Sequence, residues 1–257
     1  MRTRERRPEL MDRLDADPSQ LDRSLVDLDR VNSWLGGRRT AVRLILEMAE
    51  QIAPGPVTVI DVGTGGADIP RALVRQASLR GLDLRVTATD IHPRTLDFAR
   101  KATAGEKRIE VVRADALALP FEDDSFDLAL CCTTLHHFSR SEAGVGLREL
   151  DRVAKHGLVV TDLARSWFAV AGADLLAETV WRRHPITKHD GPVSVRAAFT
   201  PMELAVLAEE TLTRPWRVRS HALLRLSLVA GPGRNDGPRE STAGQSYAAP
   251  PNPSEAQ

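Results

Sequence analysis

The residues of this chain that could do chemistry are a few histidines and a set of carboxylates at the ends of apolar runs. His136 and His137 are adjacent, while His184 and His189 fall in a stretch rich in Arg, Lys, Pro and Gly. An imidazole titrates near neutral pH, so each can act as a general base, a role worth roughly 10²–10⁴-fold in rate. The catalytic candidates are His136, His137 and His189, and the residues placed to touch a substrate are Trp181, His184 and His189. Each has a plainer use as well. A histidine pair after a strand can pack or cap a turn, and a basic loop can be merely solvated. No Cys or carboxylate cluster stands beside His184 and His189, so no metal is expected there.

The carboxylates frame a glycine turn. Val57 to Ile60 is a β-branched apolar run, closed by Asp61 and followed by Gly63-Thr64-Gly65-Gly66, with a helix starting near Asp68. Strand, glycine turn and helix open a nucleotide-binding βαβ unit, and glycine permits close approach of a ligand to the backbone. A dinucleotide fingerprint needs a third glycine where Asp68 stands. That carboxylate suits the positive end of a helix but repels a pyrophosphate on the same amides. A ligand without phosphates and with a positive centre fits better, and S-adenosyl-L-methionine (SAM), with its sulfonium and zwitterionic tail, is such a ligand. Asp90 ends the next apolar run, Leu84 to Thr89, where a carboxylate can accept hydrogen bonds from both ribose hydroxyls. Ile91 can pack on an adenine face.

Asp61-x-Gly63-x-Gly65-x-Ala67 resembles the D-x-G-x-G-x-G motif of class I SAM-dependent methyltransferases, with Ala67 at the third glycine. The stretch Leu119 to Phe138, LPFEDDSFDLALCCTTLHHF, resembles the ubiquinone/menaquinone-biosynthesis type of that family. The flanks Leu28–Gly37 and Arg183–Gly191 are similar to those of methyltransferases found with type III polyketide synthases. The resemblance implies a SAM cofactor held by Asp61, Gly63, Thr64, Gly65, Asp90 and Ile91. It further implies Asp115 on the adenine amino group, Ala116 at the ring through its backbone N–H, and Cys131, with Thr133 and Thr134, near the methionine end. It implies O- or C-methylation of a phenolic, quinone-precursor or polyketide-like small molecule in secondary metabolism. A SAM-binding protein without catalysis and an NAD(P)-dependent oxidoreductase remain as alternatives.

The elements that position these residues follow from periodicity. Apolar residues at helical spacing mark Leu21–Leu35 and Thr40–Ile52, and Pro54-Gly55-Pro56 leads into the first strand. Residues 1–20 are highly charged and read as mobile at their start. Helices are expected over 69–80 and 93–102, and strands at 109–112 and 126–132. Ser139-x-x-Glu142 is a capping box whose helix runs to about Ala154, with Lys155-His156-Gly157 as a short turn before the strand 158–161. Trp167–Trp181 reads as a helix, Arg182–Pro192 as a loop, and Thr200-Pro201-Met202-Glu203 as a second capping box. Two antiparallel strands, 216–220 and 223–230, complete a doubly wound, mostly parallel, seven-stranded α/β sheet of Rossmann-like type. The domains are then an N-terminal helical cap, 1–56, a cofactor-binding core, 57–230, with a substrate-side insert, 163–200, and a disordered tail, 231–257.

Composition narrows the partners. The chain has 257 residues, 42% of them hydrophobic and 27% charged, with zero net charge, so no broad electrostatic attraction to nucleic acid is expected. No apolar run approaches the roughly 20 residues of a membrane helix. Adjacent Cys131 and Cys132 in a buried strand argue against a disulfide framework and for a cytoplasmic, reducing setting. A small-molecule acceptor and a monomer or homodimer are the expectation.

Overall fold

The computed structural model describes residues 3–231, apart from 14, 35, 53 and 223, together with the strand at 246–248. Leu35 and Leu223, which bound two of the expected elements, lie outside the described residues. The parallel strands are β1 (Val57–Val62), β2 (Leu84–Asp90), β3 (Ile109–Arg113), β4 (Phe126–Cys132) and β5 (Ala154–Leu163). Antiparallel β6 (Trp216–His221) and β7 (Arg225–Ala230) complete the expected seven, β7 pairing with β5. A three-residue strand, β8 (Ser246–Ala248), adds an eighth against β6, so the tail expected to be disordered carries a strand over these residues. The rest of that tail, 232–245 and 249–257, lies outside the described residues.

The order β3-β2-β1-β4-β5-β7-β6-β8 reverses direction between β1 and β4. A crevice opens at the carboxyl ends of strands at such a switch point. Strand alternation fills both faces. Val59, Leu128 and Leu130 join Ile45 and Leu46 of α2 (Gly37–Ile52) and Leu73 of α3 (Asp68–Leu79). Ile60, Val62, Ala129 and Cys131 point the other way, to α5 (Arg140–Val153) and α8 (Pro201–Thr211). Both expected capping boxes form, at Ser139–Glu142 and Thr200–Glu203. The short helix α4 (Pro93–Ala102) lies beside β2 and β3.

Three expectations are corrected. Residues 3–13 are an extended strap held at both ends, not a mobile start. Arg4 Nε donates to the Ala197 carbonyl at 2.6 Å, and the Leu10 and Met11 N–H groups donate to the Asp190 carboxylate at 2.8 and 3.0 Å. Lys155-His156-Gly157 is the first part of β5 rather than a turn, because α5 ends at Val153 and the next residue already pairs with Phe126. The basic loop is largely helix, α7 (Pro185–Ala197), with Pro185 at its first position and Pro192 inside it. Pro192 removes one helical hydrogen bond. Burial of Ile186, Thr187, Val193 and Val195, with packing on α6 (Trp167–Glu178) and α1 (Pro18–Trp34), outweighs that loss.

Candidate active site

A cavity of about 560 Å³ occupies the switch-point crevice. Its floor is the carboxyl edge of β1, β2 and β4, its roof α1 and the strap, and its far wall the α6–α7 insert. The size is that of a pocket for one or two small ligands.

The cofactor-side candidates come together. Asp61, Gly63, Thr64, Gly65, Asp90, Ile91, Asp115 and Ala116 all line the cavity. Gly63 has φ +74°, and a Cβ there would overlap the Thr134 side chain, so only glycine closes this turn. Ala67, at the third glycine position, sits in the left-handed region at φ 57° and is fully buried. Asp90 accepts from the Gly65 N–H at 3.1 Å and the His92 N–H at 2.9 Å. It therefore ties the glycine turn to the end of β2, and the cap of α4 is His92, not Asp90.

Two carboxylates of this wall are incompletely satisfied. Asp61 Oδ2 accepts from Thr64 Oγ1 at 2.7 Å, while its Oδ1 and Asp68 Oδ2 are buried without a hydrogen-bond partner among the described residues. Burial lifts the Asp61 carboxyl to about 7, with Asp68 and Asp90 adding to the rise. Burial and nearby Asp29 lift Asp68 to about 6. Such orphaned oxygens suit a cationic ligand group, which is the group the SAM methionine end brings.

Several site residues escape sequence reasoning. Cys131 faces the α5 side; Cys132, one residue on, lines the cavity. Buried Arg225 donates to Asn32 Oδ1 and Thr133 Oγ1, each at 3.2 Å, and its Nε has no partner. Arg225 opens β7, and an arginine at the start of a strand gives no hint of burial. Asp162 holds His136 twice: its Oδ1 lies 2.7 Å from Nδ1 and its Oδ2 accepts from the His136 N–H at 3.0 Å. Asp12 Oδ2 lies 2.9 Å from His137 Nδ1, and the two imidazole centroids are 4.5 Å apart. Burial lowers the His137 imidazole, but Asp12 and Glu9 outweigh it and carry the group to about 9. Burial raises the Glu9 carboxyl.

The insert contributes less than expected. Trp181 lines the cavity, and its ring covers Gly191 so closely that a Cβ there would meet Cζ3 at 2.8 Å. His184 and His189 do not line it. His184 is pinned to Asp27 of α1, and His189 leans on Asp190 at 2.7 Å with its side chain 43% exposed. Neither ring lines the cavity, so His189 loses its geometric case as a base.

Residues 59–157 match the family model described as a methyltransferase domain. That match takes in the glycine turn together with β2, β3 and β4. The demethylmenaquinone methyltransferase of Deinococcus radiodurans is 35% identical over 123 residues, 48% of this chain and 46% of that protein. The chain spans about half the length of the curated relatives it matches. A SAM-dependent methyltransferase from Aquifex aeolicus superposes with a TM-score of 0.57 at 21% identity, covering 83% of this chain and 97% of that one. The plantazolicin methyltransferase BpumL, solved with a triazolic desmethylPZN analog and SAH, gives 0.65 at 12% identity, covering 87% and 95%. No helix among the described residues is long and apolar enough to cross a membrane.

Proposed function

We propose that this protein transfers the methyl group of SAM to an oxygen or carbon of a small phenolic, quinone-precursor or polyketide-like acceptor. The observation that carries this reading is the single cavity holding two unlike ends. One end has the glycine turn, Asp90, Asp115 and the orphaned oxygens of Asp61 and Asp68. The other has His136, His137 and the apolar wall of Leu163, Ala173, Leu176 and Trp181. The likeness to demethylmenaquinone methyltransferases supports a ring-bearing acceptor.

Asp90 takes the ribose hydroxyls, and Asp115 with Ala116 takes the adenine, beside Ile91. The methionine ammonium fits Asp61 and Asp68, and Arg225 offers the matching cation for its carboxylate. SAM supplies a methyl carbon already activated by positive sulfur. The chain's own work is alignment, worth about 7–11 kcal/mol for well-oriented partners. For a hydroxyl acceptor, the oxygen lone pair forms the new C–O bond as the C–S electron pair returns to sulfur. The hydroxyl proton leaves through the polar cluster at Glu9, His136 and His137. Activating the acceptor is the task assigned to the histidine pair.

Isothermal titration with SAM and SAH tests the cofactor, and methyl transfer from labelled SAM to a panel of phenols and quinone precursors tests the reaction. Micromolar SAH binding with labelled product supports the proposal. Absent SAH binding together with tight NADH binding overturns it.

A further inference from the structure

We infer that Glu9, His136 and His137 form a binding site for one divalent transition-metal ion of the zinc type, set at the acceptor end of the cavity. The inference rests on the acceptor placement above for its substrate, but not for the ion.

The geometry begins with the tautomers. Each imidazole turns Nδ1 toward a carboxylate, His136 to Asp162 at 2.7 Å and His137 to Asp12 at 2.9 Å. A neutral imidazole so held carries its proton on Nδ1 and leaves Nε2 as a bare acceptor. Both Nε2 atoms then face Glu9, at 3.6 Å from Oε1 and 3.8 Å from Oε2. These separations exceed a hydrogen bond. With both imidazoles neutral, as an ion bound at Nε2 requires, the three ligand atoms lie within 4.8 Å of one another. Ligands held about 2.0–2.2 Å from an ion stand roughly 3–3.5 Å apart, so the set closes by drawing in by as much as about 1.3 Å.

Carboxylate, histidine, then a shared point is the arrangement that orients imidazoles around a metal, and here it occurs twice. Glu9 is oriented as well, by Ser194 Oγ at 2.7 Å from Oε1. His136 and Glu9 side chains are 2% and 5% exposed, so the set is built into the interior. Two imidazoles and a carboxylate suit zinc, cobalt or iron rather than magnesium or calcium.

Entry and vacancy are also provided. An outer pocket of about 380 Å³, lined by Arg6, Arg7 and Pro8, reaches the same Glu9, Asp12, His136 and His137 that line the inner cavity. An ion there has protein ligands on three sides and an open side toward the acceptor. The acceptor class that fits is a small molecule with an ionisable oxygen, a phenol or an enol, bound to the ion as its anion.

The test uses the full chain freed of any affinity tag, stripped with chelator and titrated with Co²⁺ while visible d–d absorption is recorded. SAH affinity is measured on every sample as a check of folding. The expected result is one cobalt per chain, displaced by Zn²⁺. Glu9→Gln, His136→Ala and His137→Ala should each weaken it tenfold or more, with SAH affinity held within about twofold, and Asp12→Asn by about 10–100-fold. Absence of d–d bands in a chain that binds SAH overturns the site, as does cobalt binding unchanged by His136→Ala and His137→Ala. Cobalt binding in a chain that fails to bind SAH supports the metal site and overturns the cofactor reading.

Discussion

Asp61 and Asp68 carry protons at pH values where an ordinary Asp, near 3.8, has none. At these two groups the folded apo chain therefore holds more protons than the unfolded chain between about pH 4 and 7, and the stability they contribute falls as pH rises through that window. A cationic ligand reverses the preference and drives both groups to ionise. SAM binding near pH 6 should then release protons, and binding at pH 8.5 should release none from these groups; calorimetry in buffers of different ionisation enthalpy measures the difference. Asp90→Ala removes the ribose acceptor and the tie to Gly65, and should weaken SAH binding by one to two decades in titration, as loss of a charged hydrogen bond of about 1.5–3 kcal/mol requires. His136→Ala should leave SAH affinity nearly unchanged and lower turnover at least tenfold in the labelled-methyl assay. Ala67→Gly relieves a left-handed alanine and should stabilise the chain by about 0.5–1 kcal/mol, read as a Tm rise of a few degrees. Much of this was legible: the glycine turn, Asp90 and Asp115 all reach the cavity because each ends or follows a short parallel strand. Cys131 failed by one residue, since a strand's period of two turns a one-place error into the opposite face.

The strap and α7 are the elements whose conformation was hidden. Local composition reads both as solvated coil, and each is tied to the other through Asp190, Ser194 and Ala197, with α7 also packed on α1 and α6. Propensity reasoning sees neighbours in sequence, whereas these partners are far apart in it. The capping boxes at Ser139 and Thr200 were legible because a cap is complete within four residues. Asp190→Ala should free the strap, since it leaves the Leu10 and Met11 N–H groups without their acceptor at about 1–3 kcal/mol each. Trypsin cleavage after Arg6 and Arg13 should then accelerate tenfold or more while the sheet domain stays folded by circular dichroism.

Over the whole molecule, the alternation of apolar strands and amphipathic helices gave the doubly wound sheet, and the direction reversal between β1 and β4 gave the place of the crevice. The cap and the insert that close that crevice were legible, but the pairing of the strap with α7 was not, because the two are far apart in sequence. Arg4 is synthesised well before its seat at Ala197, which lies 193 residues further on. Leu10 waits 180 residues for Asp190. Such distant pairings form late, after the loop they close has already been ordered by nearer contacts. A nascent chain can therefore build its glycine turn and strand edge long before a roof exists. That leaves an interval in which a cofactor the size of SAM could be taken up from the open side and sealed in once α7 has been made.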